Sequence, residues 1–422
     1  MEQKIYNEYV EILKEELLPA MGCTEPIAVA YAAAVAVQAL GEKPESVEVN
    51  VSANIIKNVK SVVVPCTGGL RGIGAAVCAG IVAGCPEKEL EILEEITGEQ
   101  KVEMKKMLDT MPMTIRESDK EYIFDIQIKA CAGGHSGYVE IAGFHTNVIC
   151  VKKDDEIIRE KAYEEQGSSC ATDRSLLTVE KIIEFADCVD VADVEEVLQR
   201  QIDYNWAIAE EGMTGNRGAA IGKTLMEAYG NSVHNRAKAM AAAGSDARMN
   251  GCELPVVINS GSGNQGMTTS LPVIVYAKEL NVSKEMMLRA LVVSNLITIH
   301  MKTGIGRLSA YCGAISAGCG AGAGICYLYG GRAYEISHVI VNAVAINSGV
   351  VCDGAKASCA AKIASAVEAG LLGLQMQKNG KQFYGGDGLV EKGVENTIRN
   401  IGELAKKGMR ETDKTIIQIM TR

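Results

Sequence analysis

The spacing of apolar residues in the first part of the chain predicts both helices and strands. Apolar residues recur every three or four positions between Tyr9 and Leu17, and an Ala- and Val-rich run from Pro26 to Leu40 predicts a second helix. Apolar and polar residues then alternate in SVEVNVSANI, in EYIFDIQIKA and in GYVEIAGFHTNVICVKK, which contains a turn. We therefore expect a mixed α and β domain over residues 1–190, with a mainly antiparallel sheet.

The second half of the chain has a different pattern. From Val194 onward the alternation gives way to long segments rich in Ala, Leu, Met and Glu, which Gly clusters separate. Such segments are typical of packed helices. We predict an all-α domain over residues 191–422, with DVADVEEVLQRQIDYN as its first helix, so the expected fold class is α+β.

Composition and charge narrow the classes of function. The chain has 422 residues, of which 42 are basic and 53 are acidic, for a net charge of −11. This balance argues against a nucleic-acid or anionic-membrane surface and favours a small-molecule substrate. The N-terminus lacks the uninterrupted apolar stretch of a signal peptide, so we expect a cytoplasmic protein. Residues 308–331 are uncharged, but seven of them are Gly, which favours a tightly packed buried helix over a membrane span.

Fourteen cysteines in a chain without an export signal are expected to be reduced. Two pairs stand out because their members are seven residues apart: Cys312 with Cys319, and Cys352 with Cys359. On a helix, positions seven apart share a face but lie about 10 Å apart along the axis, so one cysteine of each pair is the better candidate ligand of a cluster. Cys23, in the turn GCTEP, is a natural third ligand. Buried structural cysteines are the alternative, because no compact CxxC motif is present.

Four motifs carry a family resemblance over nearly the whole chain. In order they are MGCTEP, SGSGNQG, AYCGAISAGCGAGAG and GVVCDGAKASC, and together they resemble the L-cysteine desulfidases and their uncharacterised bacterial relatives. The cysteine-containing segments of the second half are more distantly similar to the iron-sulfur L-serine dehydratases. The resemblance implies an oxygen-sensitive 4Fe-4S cluster, conversion of L-cysteine to sulfide, ammonia and pyruvate, and no pyridoxal phosphate.

The resemblance also implies roles for individual cysteines. Cys23, Cys312 and Cys352 correspond to three cluster ligands, which leaves one iron open for the substrate thiolate, while Cys359 is either a further ligand or a neighbour. The serine dehydratases carry a Ser- and His-rich turn where this chain has GCTEP, and the difference favours cysteine as the substrate. Two other hypotheses stay open: L-serine dehydration by the same mechanism, and a non-catalytic iron-sulfur or metal-binding protein.

Other polar residues are candidates for substrate binding and proton transfer. The turn SGSGNQG precedes a predicted helix, so its backbone N–H groups and side chains are expected to bind the substrate carboxylate. The candidate binding residues are Ser262, Gly263, Asn264 and Gln265, with Arg71 as a second carboxylate partner and Asn54 and Asn147 as pocket residues in strand-like segments. The candidate bases are His145, His135 and Lys356, with Ser309 as a competing choice. The sequence leaves the oligomeric state open, a homo-oligomer included.

Overall fold

The computed structural model describes residues 1–163, 172–306 and 308–421. Its helices of more than six residues are α1 (Gln3–Glu16), α2 (Thr24–Leu40), α3 (Ala53–Val59), α4 (Gly72–Ala83), α5 (Gly98–Thr110), α6 (Val179–Cys188), α7 (Glu195–Thr214), α8 (Ile221–Tyr229), α9 (Val233–Met249), α10 (Gly263–Glu279), α11 (Lys284–Ile305), α12 (Gly313–Leu328), α13 (Ala333–Ile346), α14 (Cys359–Lys378), α15 (Val394–Glu403) and α16 (Arg410–Thr421). The strands are β1 (Pro19–Met21), β2 (Ser46–Val51), β3 (Met113–Glu117), β4 (Asp125–Ala132), β5 (His135–Ala142), β6 (Val148–Lys153), β7 (Glu156–Glu160) and β8 (Pro255–Val257).

A six-stranded sheet lies in the first part of the chain, in the order β3-β2-β4-β5-β6-β7. All neighbouring strands are antiparallel except β2 and β3, which are parallel. Helix α2 packs on this sheet so closely that a Cβ added at Gly137 of β5 would lie 2.1 Å from the carbonyl oxygen of Ala36. The α+β fold class, the mainly antiparallel sheet and the two N-terminal helices are therefore confirmed.

Two local predictions differ from the structure. The segment SVEVNVSANI is a strand only as far as Val51, because adjacent apolar residues at Ile55 and Ile56 fit helix α3 rather than an alternating strand. Asn54 therefore lies on a helix. The helical region begins with α6 at Val179, before the predicted first helix, and the short pairing of β1 with β8 joins the two halves of the chain. The domain boundary near residue 190 stays a prediction.

Glycines determine how the helices of the second half pack. A Cβ added at Gly318 of α12 would lie 2.3 Å from the carbonyl oxygen of Ala366 on α14, and one added at Gly322 would lie 2.9 Å from that of Gly370. Both contact positions advance by four residues, so α12 and α14 run in the same direction. Their N-termini consequently lie at the same end of the helical region.

Helices α10 and α11 continue this packing around α12. Gly313 and Gly324 of α12 contact Gln265 and Val273 of α10, so α10 is also parallel to α12. Gly320 contacts Thr298 of α11, and Gly324 contacts Ala290 of the same helix, so α11 runs in the opposite direction. The starts of α10, α12 and α14 and the end of α11 therefore share one side of the helical region.

Replacing Gly318 by alanine tests this packing. The new Cβ would meet a backbone oxygen, so we expect Gly318→Ala to lower the free energy of unfolding by about 1–3 kcal/mol. Gly98→Ala is the matched control, because no described atom lies within 4 Å of a Cβ built there. Chemical denaturation of both variants measures the effect, and an equal stability of the two would contradict the close approach of α12 and α14.

Candidate active site

A cavity opens where the helix starts meet. It encloses about 750 Å³ of empty space, which includes part of its open mouth. Its lining comes from the start of α2, from α3, from the end of α9, from the turn before α10, from the end of α11 and from the segments around the starts of α12 and α14. The cavity therefore collects side chains from distant parts of the chain.

Four thiols line this cavity. Cys23 is the residue before α2, Cys312 is the residue before α12, Cys359 is the first residue of α14, and Cys352 lies in the loop that precedes α14. Cys319 lies two turns inside α12 and is not among the described lining residues. Of the first pair, one member thus reaches the cavity; of the second pair, both do.

The second pair behaves differently because residues 352–358 do not form a helix. Gly354 has a φ of +90°, and a Cβ added to it would lie 2.6 Å from the carbonyl oxygen of Lys57. The chain therefore turns against α3 before α14 begins. This turn brings Cys352 and Cys359 to the same cavity, although a continuous helix would have separated them.

Burial raises the pKa of Cys23, Cys312 and Cys359. It raises the pKa of Cys312 to about 12, with a further raising effect from Cys352, and it raises the pKa of Cys359, to which Cys352 also contributes. The pKa of Cys23 lies well above its usual value because of burial and Glu25, against a lowering effect of Arg248. These thiols are protonated at neutral pH in the absence of a metal, and metal coordination would deprotonate them.

The four thiols line one cavity. Within residues 1–163, 172–306 and 308–421, no three His, Cys, Asp or Glu side chains are close enough to hold a single metal ion. Thiolates that bind different irons of one cluster need not approach each other as closely as ligands of one ion. A set of cysteines from separate segments is therefore compatible with the ligand set of an iron-sulfur cluster.

In the described part of the chain, helices α2, α10, α12 and α14 all begin at the cavity. The first N–H groups of a helix have no partner within the helix and carry partial positive charge. Their convergence stabilises anions, which here means thiolates or a substrate carboxylate.

Charged side chains add to this positive character. Lys57, Arg248, Lys302 and Lys362 line the cavity, against the single carboxylate of Glu25 among the described lining residues. Lys57 pairs with Asp413 of α16 at 2.5 Å, and Lys362 pairs with Asp353 at 2.5 Å. Cationic side chains thus outnumber carboxylates in the lining of this cavity, although the chain has a net charge of −11.

Glu25 positions the start of α2. Its carboxylate accepts hydrogen bonds from the Cys23 thiol at 3.1 Å and from the Asn58 side chain at 3.2 Å. The neighbouring Thr24 hydroxyl donates to the carbonyl oxygen of Gly261 at 3.0 Å. This last bond joins the Cys23 segment to the turn SGSGNQG.

The turn SGSGNQG leads directly into α10. Ser262 precedes the helix, Gly263 begins it, and Ser262, Asn264 and Gln265 line the cavity. Gly266 packs against β8, where a Cβ would lie 2.0 Å from the carbonyl oxygen of Val257. The Oδ1 atom of Asn264 and the Oε1 atom of Gln265 are buried without a hydrogen-bond partner among the described residues. The turn therefore presents unsatisfied polar atoms at the cavity.

Four other candidates are not among the described lining residues of the cavity. Arg71 is exposed and donates to the carbonyl oxygen of Ser61 at 2.8 Å. Asn54 lies on α3 but is not a described lining residue, and Asn147 donates to Ala142 within the sheet region. Lys356 donates to the carbonyl oxygen of Lys57 at 3.4 Å and also lies outside the described lining. We do not include these four residues in the candidate site.

The histidine candidates also lie elsewhere. His135 is exposed at the start of β5 and contacts Asp154 at 3.0 Å, and His145 is buried against the ring of Phe124, with 5.0 Å between the ring centroids. Neither is a described lining residue, whereas Ser309 is.

Sequence reasoning missed the charged lining residues. Arg248 follows the Ala-rich segment AMAAAGSDA, and Lys302 ends the apolar segment LVVSNLITIHM. A charge at the end of a segment of mostly small or apolar residues is a usable signal, because such a charge is rarely buried without a partner or a function. Lys57 and Lys362 carry no comparable signal.

Comparison with known proteins identifies the family of the chain. A family model described as serine dehydratase alpha chain matches residues 87–418. The chain belongs to the serine dehydratase alpha chain family. A dehydratase is a lyase, so membership in this family indicates a lyase-type enzyme and agrees with the resemblance of the cysteine motifs.

Three relatives illustrate how far this similarity extends. The UPF0597 protein of Desulfitobacterium hafniense is 59% identical over 419 residues, which cover 99% of this chain and 97% of that protein. Those of Lachnoclostridium phytofermentans and Treponema denticola are 50% and 43% identical, over 99% and 100% of this chain and 100% and 99% of theirs. Family members of this kind therefore share the full length of the chain.

None of the helices in the described part of the chain is both long enough and apolar enough to span a membrane. Within the uncharged segment of residues 308–331, Gly313–Leu328 form the buried helix α12, as the glycine content of the segment predicts.

The ion pair between Lys57 and Asp413 can be tested directly. Asp413→Asn leaves the buried ammonium of Lys57 without its counterion, so we expect the free energy of unfolding to fall by about 2–4 kcal/mol. Glu411→Gln is the control, because it removes an exposed ion pair with Lys414 on the same helix. Denaturant titration compares the two variants, and equal small losses would contradict a stabilising role for the buried pair.

Proposed function

We propose that this protein is an iron-sulfur-dependent lyase that converts L-cysteine to sulfide, ammonia and pyruvate without pyridoxal phosphate. The observation that carries the proposal is the meeting of Cys23, Cys312, Cys352 and Cys359 at one cavity. They come from segments that are far apart in the sequence, and helix N-termini surround them. The family supports a lyase-type reaction.

The residues of the cavity fit a 4Fe-4S cluster. Cys23, Cys312 and Cys352 would hold it, with Cys359 as a fourth ligand or a neighbour. The small residues Gly313, Ala314, Gly354 and Ala355 leave room beside the thiols. When bound through three thiolates, the cluster supplies an open Lewis-acidic iron for which a substrate thiolate is a suitable soft ligand.

The remaining tasks belong to the side chains of the chain itself. The positive helix N-termini and the lining lysines stabilise the thiolates and the substrate carboxylate. Burial of the cavity strengthens these interactions. The Cα proton must pass to a lining group, for which the carboxylate of Glu25 and the hydroxyl of Ser309 are candidates, whereas the lining lysines act as cations. A variant that removes only this acceptor would lower kcat and leave KM nearly unchanged.

L-Serine dehydration by the same mechanism is the second candidate. The family description favours it, because the matched family is that of the serine dehydratase alpha chain. The segment MGCTEP favours L-cysteine, because the serine dehydratases carry a Ser- and His-rich turn at this point. A non-catalytic iron-sulfur protein is the third candidate, but storage alone requires no cationic cavity beside the cluster.

Product formation after anaerobic reconstitution with iron and sulfide tests the proposed function. We expect sulfide and pyruvate from L-cysteine, and a rate lower by on the order of 100-fold or more in Cys312→Ala, because it removes a proposed cluster ligand. Cys319→Ala is the matched control, since Cys319 lies on the same helix two turns farther along.

The other outcomes separate the alternatives. Pyruvate from L-serine but not from L-cysteine would establish the dehydratase. A cluster without turnover of either amino acid would establish the non-catalytic protein, and equal activity of Cys312→Ala and the wild type would contradict cluster ligation by Cys312.

A further inference from the structure

Among the described residues, the buried guanidinium of Arg248 has no counterion. It lies at the end of α9, is 3% exposed and lines the cavity. Its Nε atom has no hydrogen-bond partner among the described residues, and none of the described carboxylates forms an ion pair with it. A buried charge in this state costs several kcal/mol on the scale of measured and calculated desolvation penalties, so a ligand that neutralises it would be bound strongly.

The nearest carboxylate along the same helix does not fill this role. Asp246 lies two residues before Arg248 and accepts a hydrogen bond from the N–H of Gly222 at the start of α8. Glu25, the lining carboxylate, is engaged by the Cys23 thiol and by Asn58. Arg248 is therefore left facing the cavity without a charge partner from the described chain.

The backbone beside Arg248 is shaped to hold the guanidinium. A Cβ added at Gly263 would lie 2.5 Å from Nε and 2.9 Å from Cζ of Arg248. The guanidinium thus packs against the start of α10, next to the turn that carries Asn264 and Gln265. Only glycine leaves this space free.

Unsatisfied acceptors lie on the same turn. The Oε1 atom of Gln265 and the Oδ1 atom of Asn264 are buried and have no partner among the described residues. Gln265 is packed against Gly313, where a Cβ would lie 2.7 Å from its amide carbon. The cavity therefore contains one cationic donor, Arg248, and two neutral amide oxygens that have no hydrogen-bond partner among the described residues.

We propose that Arg248 binds the α-carboxylate of the substrate and that the amide oxygens of Gln265 and Asn264 accept hydrogen bonds from its ammonium group. This inference rests on the proposed function and makes it more specific: the site selects α-amino acids in which both groups are free. Arginine suits this role because its planar guanidinium donates two parallel hydrogen bonds to a carboxylate.

Binding of two truncated thiols separates these contacts. 3-Mercaptopropionate keeps the carboxylate but lacks the ammonium, whereas cysteamine keeps the ammonium but lacks the carboxylate. Neither compound can give pyruvate, and calorimetry on the anaerobically reconstituted protein measures their binding. We expect Arg248→Met to weaken the binding of 3-mercaptopropionate on the order of 100-fold and to leave the binding of cysteamine nearly unchanged. Gln265→Leu is expected to show the opposite pattern.

Additional variants keep the test independent of folding. Arg248→Met removes an unpaired buried charge, so we expect its Tm to be equal to or higher than that of the wild type. Gly263→Ala keeps the charge but displaces the guanidinium, and it too should weaken 3-mercaptopropionate. Arg236→Met is the control on the same helix, because Arg236 forms a surface ion pair with Glu279.

Two results would overturn the assignment of Arg248. One is unchanged binding of 3-mercaptopropionate by Arg248→Met. The other is an equal loss of affinity for both thiols in Arg248→Met, together with a lower Tm, which would indicate a structural role. The proposed function can fail separately. If the protein binds both thiols in the expected pattern but forms no product from L-cysteine, the assignment of Arg248 is supported and the desulfidase reaction is contradicted.

Discussion

The close approach of parallel helices is the constraint on which the site depends. Gly318, Gly322 and Gly370 allow the backbones of α12 and α14 to meet. Because the two helices run in the same direction, Cys312 and Cys359 arrive at the same end of the helical region. Larger residues at the contact would separate the helices and therefore the thiols. The Gly-rich sequence around Cys312 thus serves the position of the thiols as well as the packing of the core.

The second organising feature is the concentration of positive charge in an acidic protein. Helix N-termini and buried cationic side chains share one cavity, and burial makes each unneutralised charge unfavourable. Asp413 and Asp353 offset part of this cost at Lys57 and Lys362. Arg248 has no such partner among the described residues, so the folded chain keeps an unfavourable charge that an anionic ligand can neutralise. Stability and binding are therefore in competition at this residue.

The sequence predicted the helices and strands better than the contacts between them. Local periodicity was sufficient for α1 and for the hairpin of β5 and β6, because these patterns reflect which face is buried. The Ala- and Val-rich composition was sufficient for α2. Periodicity did not predict the turn at residues 352–358. The chain turns there because Gly354 packs against the backbone of α3, which lies about 300 residues earlier in the sequence. Periodicity also missed Lys57 and Arg248, whose importance comes from neighbours that only the fold provides. The motif resemblance identified the cysteines, but the burial and charge of the cavity required the structure.

The central claim is that thiols at converging helix starts hold one iron-sulfur cluster. The most direct test is the iron and acid-labile sulfide content of the anaerobically reconstituted protein, compared across Cys23→Ser, Cys312→Ser, Cys352→Ser and Cys319→Ser. The account predicts about four irons and four sulfides per chain for the wild type and for Cys319→Ser, with a large loss in the other three variants. A wild type that takes up no iron, or a loss in Cys319→Ser equal to that in the lining variants, would contradict it.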